Sequence, residues 1–356
     1  MKKNPDAIVL FSGGLDSLLA AKLLAEQGLN ILCVHFRTPF FGRSAPSKIW
    51  EEEYGLEVST VDLSPDFIKM IIDKPPHGYG KRLNPCIDCK ILQLSKAREI
   101  MERTGAKFIA TGEVPGQRPM SQRRDALNLI AREAGVKDRV LRPLSALLLS
   151  PTAPERGNEV DRARLLAISG RGRNPQYELA ARFGIKTIPS PAGGCALTQE
   201  ESARRYWRVL EDYRSKNMEN IDGLIGDLSL ANRGRNFWRT RDGKSYWLVV
   251  GRKASDNQRI NESLADDDLA LRLTNFPGPI ALCRHGREWP REILESAAAL
   301  VASYSTKAAE QGGAVSVRCF GVGANALFSV IPEKNVSDWS VPAWEETREK
   351  IKASRE

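Results

Sequence analysis

The segment Ser12-Gly13-Gly14-Leu15-Asp16-Ser17 constrains the fold more than any other part of the chain. It follows the apolar run 7–11 directly, and leucines at helical spacing follow it. This order predicts a buried strand, a glycine turn and an amphipathic helix. Glycines let backbone N–H groups approach an anion, the helix N-terminus adds positive partial charge, and Ser12 and Ser17 add hydroxyl donors. We therefore expect a phosphate-binding loop, in which Asp16 implies a Mg²⁺ ion that offsets its charge.

Length and charge narrow the class of protein further. The 356 residues are enough for two domains. We find no secretory signal and no apolar run of about 18 residues, so we expect a soluble, cytoplasmic protein that does not enter a membrane. The net charge of +9 and the isoelectric point of about 9.3 favour a polyanionic partner.

Short buried strands alternate with helices through the first half of the chain. The predicted strands are 7–12, 31–36, 58–62 and 108–113, and the predicted helices are 17–27, 46–54, 88–104, 122–134, 159–169 and 174–183. Such alternation predicts an α/β fold, a parallel twisted sheet with helices on both faces. Ligands of such sheets bind at the carboxyl ends of the strands, where the glycine loop falls.

The pattern changes after a basic helix at 199–216. Short alternating strands follow, interleaved with Asn, Asp and Gly, and they predict a smaller α+β domain. The predicted division is a first domain at 1–198, a basic linker helix at 199–219, a second domain at 220–335 and a charged tail at 336–356. The segment 189–195 is rich in Pro and Gly, which predicts a rigid, irregular turn that presents Cys195.

Three of the six cysteines form a candidate reactive group. Cys86 and Cys89 lie three positions apart at a predicted helix start, where the helix N-terminus and Lys81, Arg82 and Lys90 are expected to lower the thiol pKa. Cys195 follows about a hundred residues later. We expect the remaining cysteines, which lie in apolar surroundings, to be core residues; these are Cys33, Cys283 and Cys319.

Four interpretations of Cys86, Cys89 and Cys195 remain open at the level of sequence. A [4Fe–4S] cluster can be held by three thiolates with one iron left open. A zinc site needs a fourth ligand, which His77 could supply. A dithiol or persulfide relay needs only two of the thiols. Finally, all three thiols could simply be buried.

The loop resembles the SGGxDS pyrophosphate loop of the PP-loop ATP pyrophosphatases, which have an adenine nucleotide α hydrolase-like fold. The order of this loop, then Asn84-Pro85-Cys86-Ile87-Asp88-Cys89-Lys90, then a strand ending Ala110-Thr111-Gly112-Glu113, is similar to the tRNA thiouridine synthetases. Cys89 takes their catalytic-cysteine position and Cys195 resembles their downstream cysteine. Cys86 replaces their usual aspartate, and this departure resembles the cluster-dependent tRNA thiolases.

The resemblance covers about residues 5–198 and implies a set of roles. Ser12, Gly13, Gly14, Asp16 and Ser17 would bind the phosphates of ATP. His35 and Phe36 would line the adenine pocket, and Gly112 and Glu113 would lie at the same rim, where Glu113 would bind Mg²⁺ or substrate. Asp16, Cys89 and Cys195 would be catalytic, and Cys86, Cys89 and Cys195 would hold the cluster.

Two basic stretches point to RNA. Residues 81–142 contain 14 Lys and Arg against 7 Asp and Glu, and residues 204–259 contain 13 against 7. The first includes the patch Gln117–Arg124 and the second the patch Arg233–Arg239. Arginine side chains grip phosphates, and we expect Phe237 and Trp238 to stack on unpaired bases.

The second domain resembles the NFACT-R RNA-binding domain over about residues 220–330. Tyr246–Asn257 resembles its vGRnaxxN segment, and Pro277–Arg284 resembles its PGxHvvlr strand, with Pro279 where a serine or alanine is commoner. That family binds RNA, so the resemblance implies RNA contact by this domain.

Together these features predict an ATP-dependent tRNA uridine thiolation enzyme. It would adenylate a uracil oxygen with Mg·ATP, release pyrophosphate and replace AMP by sulfur. Its partners would be tRNA, a sulfur donor (sulfide, a cysteine desulfurase or a sulfur carrier) and a second copy of the chain in a homodimer. Two alternatives stay open: a PP-loop amidating ligase acting on a small molecule, and a non-catalytic RNA-binding factor.

Overall fold

The computed structural model describes residues 4–42, 47–189, 194–215, 220–334 and 338–354. The chain divides into two compact units, one ending at Thr198 and the other running from Gln199 to Ser354. Most of the predicted Pro- and Gly-rich turn before Cys195 lies outside the described residues, as does the end of the predicted linker helix. Among the described residues, no helix has both the length and the apolar character needed to cross a bilayer.

The first unit is built on a five-stranded parallel sheet with the order β3-β2-β1-β4-β5. In chain order its elements are β1 (Ala7–Leu10), α1 (Leu15–Glu26), β2 (Ile31–Arg37), α2 (Ser47–Tyr54), β3 (Val58–Asp62), α3 (Ser64–Ile72), α4 (Cys86–Thr104), β4 (Phe108–Thr111), α5 (Arg124–Glu133), β5 (Val140–Leu141), α6 (Ala153–Arg156) and α7 (Asn174–Arg182). The predicted parallel α/β sheet is therefore confirmed. The sequence missed only its short edge strand β5.

The central strand β1 explains why the first apolar run is continuous. Val9 packs into one hydrophobic layer with Leu18 of α1, whereas Ile8 packs into the opposite layer with Met101 of α4. A strand that is covered by helices on both faces needs apolar residues at every position, not at every second one. All four residues of β1 are buried.

The helix predicted over 159–169 is wrong, because this segment makes its backbone hydrogen bonds with a neighbouring segment. Leu166 N donates to Pro143 O at 3.0 Å, and Ile168 N donates to Leu144 O at 2.8 Å. Only a single 3₁₀ turn forms, at Arg162–Arg164. The segment therefore runs extended along residues 143–147. Its apolar residues are spaced as in a helix, but this spacing does not reveal the hydrogen bonds with the neighbouring segment.

The second unit contains a six-stranded antiparallel sheet with the order β11-β10-β8-β9-β7-β6. Its elements are α8 (Glu200–Ser215), α9 (Ile221–Ala231), β6 (Arg235–Arg241), β7 (Lys244–Val250), α10 (Ala254–Glu262), β8 (Leu269–Leu273), β9 (Ile280–Arg284), α11 (Arg291–Ala302), α12 (Thr306–Glu310), β10 (Val315–Gly321), β11 (Ala324–Val330) and α13 (Trp344–Ala353). The predicted α+β class of this part of the chain is confirmed.

One hydrophobic cluster of the second unit lies on one face of this sheet. Leu248, Leu271 and Val317 share a hydrophobic cluster with Ile293 and Ala297 of α11. The middle strands are also buried at successive positions, five in a row in β7 and three in a row in both β8 and β9, so their opposite face is covered too. The predicted charged tail includes α13, whose Ile351 side chain is only 2% exposed.

Candidate functional site

The glycine loop lies at the switch point of the parallel sheet. Strands β2 and β4 flank β1 on opposite sides, so the direction of strand succession reverses here. Ligands of open parallel sheets bind in the crevice at the carboxyl ends of the strands at such a point. The loop residues 11–14 leave β1 at this edge, and α1 begins directly after them.

Internal hydrogen bonds shape the loop. Ser12 N donates to Ser17 Oγ at 3.2 Å, and Ser17 Oγ donates to Gly14 O at 2.8 Å. Gly14 is the N-cap residue of α1 and has no side chain that could cap the helix. The N–H groups of the first helical turn therefore have no intrahelical acceptor and are available to an anion.

Two glycines are required by the backbone around the loop. Gly13 has a φ of +74°, in the left-handed region that favours glycine. Gly112, directly after β4, lies against the first turn of α1. A methyl group on Gly112 would lie 2.5 Å from the carbonyl carbon and oxygen of Asp16 and 2.6 Å from Ser17 N. Only glycine permits this close approach of the two segments.

Asp16 is held by three residues that the sequence analysis did not connect with it. Gln117 Nε2 donates to Asp16 Oδ2 at 2.7 Å, and Gln176 Nε2 donates to Asp16 Oδ1 at 3.3 Å. The guanidinium of Arg173 lies 3.9 Å from Asp16 Oδ2. The glutamines lie 101 and 160 residues from Asp16 along the chain, so no local pattern could have connected them.

His35 and Phe36 lie at the end of β2 but on opposite faces of the sheet. His35 is 2% exposed, its Nδ1 is 2.9 Å from Phe11 O, and its ring lies 4.8 Å from that of Trp50. Phe36 belongs to the hydrophobic layer on the other face, with Ile8. His35 Nε2 is buried without a hydrogen-bond partner among the described residues.

Glu113 is buried in an ion pair. Arg142 Nε donates to Glu113 Oε2 at 3.3 Å, and Thr111 Oγ1 donates to the same oxygen at 3.1 Å. Both charged side chains are less than 10% exposed. Glu113 Oε1 is buried and has no hydrogen-bond partner among the described residues. The protein thus fixes one carboxylate oxygen of Glu113, and the other has no partner in the described part of the chain.

Cys86 and Cys89 lie in the first turn of α4, as the sequence predicted. Asn84 Nδ2 donates to Cys86 Sγ, and Gln93 Nε2 donates to Cys89 Sγ, both at 3.1 Å. Leu83 N donates to Leu197 O at 3.3 Å, which brings the segment of Cys195 beside the segment that precedes Cys86. The fold therefore assembles the three cysteines from two distant parts of the sequence.

The expected lowering of the thiol pKa is wrong for Cys89. Burial raises the pKa of Cys89 to about 12, and the opposing effect of Lys90 is smaller. Burial also raises the pKa of Cys195, and the neighbouring thiols of Cys89 and Cys86 add to this shift. Desolvation of a thiolate outweighs the helix end and the lysine, because a buried charge loses the stabilisation that water provides.

His77, the candidate zinc ligand, is engaged elsewhere. Its Nδ1 lies 2.8 Å from Asp88 Oδ1, and its Nε2 lies 3.4 Å from Glu133 Oε2. The hydrogen bond to Asp88 is the main reason that the pKa of His77 is raised. Both ring nitrogens face carboxylates, so His77 contributes no free ligand atom to the cysteines.

One loop connects the phosphate loop with the cysteines. It follows β4, and its Gln117 contacts Asp16 while its Met120 Sδ lies 3.4 Å from Asn84 Nδ2. Asn84 in turn donates to Cys86. Gln117 and Met120 are three positions apart in the sequence, so their Cα atoms are at most about 11 Å apart. The two candidate centres therefore lie at the same edge of the sheet.

Trp238 does not serve as a base-stacking platform, contrary to the prediction. Its side chain is 3% exposed and stacks on Trp247, with ring centroids 5.5 Å apart and an interplanar angle of 5°. Phe237 packs against the hydrophobic core, near Tyr304. The alternation of β6 places the two rings on opposite faces of the sheet, where Trp238 is buried and Phe237 is partly buried, and the arginines remain as the charged side chains of this patch.

The first unit thus joins a parallel sheet to a glycine loop of the SGGxDS pattern, and a unit with an antiparallel sheet follows it in the chain. Residues 3–148 match the family described as thiamine biosynthesis protein (ThiI), and residues 234–340 match the NFACT protein RNA binding domain. The chain thus combines a ThiI-type domain with an NFACT-type RNA-binding domain, which confirms both resemblances.

Named relatives match the first part of the chain. The tRNA-specific 2-thiouridylase MnmA of Syntrophotalea carbinolica is 30% identical over 123 residues, covering 31% of this chain and 35% of the relative. A tRNA sulfurtransferase of Desulfurococcus amylolyticus is 30% identical over 148 residues, covering 39% of this chain and 29% of the relative. The chain spans about a third of the length of the curated relatives it matches.

Among solved structures, one similar chain is the U34-tRNA thiolase NcsA from Methanococcus maripaludis with its [4Fe-4S] cluster. It is 18% identical, with a TM-score of 0.30, and the match covers 64% of this chain and 71% of that chain.

Proposed function

We propose that this chain is an ATP-dependent tRNA thiolation enzyme. A uracil oxygen of tRNA would attack the α-phosphorus of ATP, pyrophosphate would leave, and a sulfur nucleophile would then displace AMP from the activated carbon. Uracil oxygen is a poor leaving group, and adenylation converts it into a good one. The names of the relatives support this class of reaction for the part of the chain that they match.

The glycine loop would bind the phosphates of Mg·ATP. Ser12, Gly13, Gly14 and Ser17 offer backbone and hydroxyl donors at the N-terminus of α1, which suit an anion. Asp16 would bind Mg²⁺, since carboxylate oxygens are the ligands this ion prefers. Gln117 and Gln176 donate to different oxygens of Asp16, so their hydrogen bonds hold this carboxylate in position beside the loop.

Residues at the ends of β2 and β4 would complete the nucleotide site. Two buried polar atoms have no hydrogen-bond partner within the described residues: Nε2 of His35 and Oε1 of Glu113. Buried polar atoms of this kind are costly unless a ligand satisfies them. This supports His35 as a nucleotide contact and Glu113 as a contact to Mg²⁺ or substrate. Phe36 would support the pocket from the opposite face.

Cys86, Cys89 and Cys195 would hold a [4Fe–4S] cluster. Their sulfur atoms do not all lie within 4.8 Å of one another in the described structure. A single zinc ion, with Zn–S bonds of about 2.3 Å, would need a tighter group, whereas a cubane binds each thiolate through a different iron. When bound, such a cluster would supply one iron without a protein ligand as a coordination position for sulfide. Asn84 and Gln93 would donate hydrogen bonds to the ligand sulfurs.

The observation that carries this proposal is the loop after β4. It contacts Asp16 through Gln117 and Asn84 through Met120, so adenylation and sulfur transfer could act on one uridine. An ATP-dependent ligase acting on a small molecule would need the phosphate loop but not the assembled cysteines. The second domain, of a family described as RNA binding, supports tRNA as the substrate.

The products of ATP turnover test the adenylation step. The full chain, incubated anaerobically with Mg·ATP, sulfide and tRNA, should form AMP and pyrophosphate, and omission of tRNA should suppress both. Asp16→Asn should lower the rate by at least about 100-fold, since it removes the charge that faces the metal. ADP as the product would contradict the PP-loop assignment.

Metal content tests the cysteine site separately. Anaerobically reconstituted protein should contain about four iron and four sulfide per chain, and alanine at Cys86, Cys89 or Cys195 should remove the cluster while leaving ATP binding intact. Alanine at buried Cys33 is the matched control and should leave the iron content unchanged. About one zinc and no iron would contradict the cluster, and a metal-free chain that thiolates with a persulfide donor would favour a relay through Cys89 and Cys195.

A further inference from the structure

Six cationic residues lie on or next to the segments that meet at a close contact between two glycines in the second unit. Within the described part of the chain, none of the six has an ion pair with a carboxylate. We refer to them as the arginine cluster: Arg205, Arg233, Arg235, Arg252, Lys253 and Arg259. Other arginines of the same unit are paired, namely Arg204 with Glu201, Arg208 with Asp212, Arg239 with Asp338 and Arg241 with Glu292.

The two glycines bring distant parts of this unit together. Gly234 has a φ of +48°, and a methyl group there would lie 2.3 Å from Val250 O and 3.4 Å from the Cα of Gly251. Arg205 Nη1 donates to Gly234 O at 3.5 Å, and Arg235 Nη1 donates to Gly251 O at 3.3 Å. Helix α8, the start of β6 and the segment after β7 therefore all deliver cations to one place.

The burial of Arg205 is difficult to explain by a contribution to the stability of the fold. Arg205 is only 8% exposed, and Glu201 O and Gly234 O accept its hydrogen bonds. Burial lowers its pKa, and repulsion from Arg252 lowers it further, while exposed Glu201 offsets only part of this effect. A buried charge without an opposite charge costs stability. Bringing further cations close to it adds to that cost.

Other members are held in position although they repel one another. Arg235 lies over the ring of Tyr304, with 4.5 Å between the guanidinium carbon and the ring centroid, a cation–π contact that fixes its direction. The pKa of Arg233 is lowered by burial and by Arg259, against the weaker opposing effect of Asp256 on α10. A pre-arranged set of mutually repelling guanidinium groups is a site that an anion would stabilise.

We propose that the arginine cluster is a phosphate-binding site that grips the RNA backbone. This inference rests on the proposed function, in which tRNA is the substrate. Arg205 is the buried member, and Arg233 and Arg252 contact phosphate from the side of the solvent. Guanidinium groups match phosphate oxygens with two parallel hydrogen bonds, and each phosphate that binds removes repulsion within the cluster.

Salt-dependent tRNA binding by the full chain tests the proposal. Arg252→Gln and Arg233→Gln should each weaken tRNA binding about tenfold in a filter-binding assay at low salt. Each should also reduce the slope of log affinity against log salt by about 0.7 to 0.9, because one fewer phosphate is neutralised. Arg287→Gln is the matched control. Arg287 is exposed and follows the last residue of β9, whereas the glycine contact within the arginine cluster lies beside the first residue of this strand, where Gly251 N donates to Ile280 O.

Arg205→Met separates binding from folding. Removal of an unpaired buried charge should leave the melting temperature unchanged or raise it, while tRNA affinity falls about tenfold. A lower melting temperature with wild-type tRNA affinity would show that Arg205 is structural and would overturn its role here.

Two further outcomes distinguish the site from the function. If the wild-type chain binds tRNA and the Arg233 and Arg252 variants bind it equally well, the site is wrong but the proposed function stands. If these variants lose affinity for inorganic phosphate but not for tRNA, the cluster serves a small anion and the RNA assignment is overturned. If the wild-type chain forms no AMP in the presence of tRNA, this result would instead count against the proposed function.

Discussion

The substitution Gly112→Ala adds only one methyl group, but we expect it to impair the proposed nucleotide site strongly. The added methyl group would lie 2.5 Å from backbone atoms of Asp16, whereas ordinary contacts at such a position are 3.4–4 Å. The first turn of α1 must therefore move by about 1 Å relative to β4. A displacement of this size in a catalytic arrangement costs about 100-fold in rate, and overpacking costs about 1–3 kcal/mol of stability.

The assay for this variant is AMP formation at several ATP concentrations, together with urea unfolding. We expect kcat/KM to fall about 100-fold while most of the protein remains folded at 25 °C. Gly226→Ala, in helix α9, is the control because no atom lies within 4 Å of the added methyl group. Near wild-type kcat/KM for Gly112→Ala would show that the junction of β4 and α1 does not shape the ATP site.

Three other changes test separate parts of the structure. Arg142→Met leaves the buried carboxylate of Glu113 without its cationic partner, and should lower the free energy of unfolding by about 3–5 kcal/mol in urea titrations; a loss below about 1 kcal/mol would contradict a stabilising role of this ion pair. His77 has a raised pKa beside Asp88, so its ion pair stabilises the fold at low pH and is lost as pH rises through that pKa. The stability difference between wild type and His77→Gln should thus be larger at pH 5.5 than at pH 9, and a pH-independent difference would contradict the ion pair. Cys283→Ala, in the core of the second unit, should cost about 1 kcal/mol without changing iron content, which atomic absorption can check.

The sequence was sufficient for the features whose causes are local. The apolar run of β1, the glycine loop and the start of α1 follow one another within about twenty residues, and each is dictated by backbone conformation or periodicity. The position of Cys86 and Cys89 in one helical turn is likewise a local property. The division into a parallel and an antiparallel sheet follows from the change in strand pattern.

The sequence was insufficient where partners are distant. Nothing near Asp16 indicates that Gln117, Arg173 and Gln176 lie beside it, because the fold alone brings them there. The thiol pKa was misjudged for a related reason. Charge neighbours can be read from the chain, but the burial that raises the pKa of Cys89 depends on tertiary packing.

Burial also decided the role of the aromatic residues in the basic patch. Phe237 and Trp238 are adjacent to arginines in sequence, a pattern typical of RNA-binding surfaces. In β6 the backbone alternation and the pairing with β7 bury Trp238 against Trp247. Arg233 and Arg235 remain as the proposed phosphate-binding groups of this patch, whereas Arg239 pairs with Asp338, a difference that only the three-dimensional structure reveals.

The nucleosides of tRNA treated with the chain give the most direct test of the proposed function. Unmodified tRNA, Mg·ATP and sulfide are incubated anaerobically with the reconstituted chain, and the digested tRNA is analysed by mass spectrometry. We predict a uridine in which one oxygen is replaced by sulfur, formed with the wild type and absent with Asp16→Asn and with Cys195→Ala. If tRNA-dependent AMP forms but no sulfur enters the tRNA under these conditions, the chain adenylates tRNA for a different reaction and is not a thiolation enzyme.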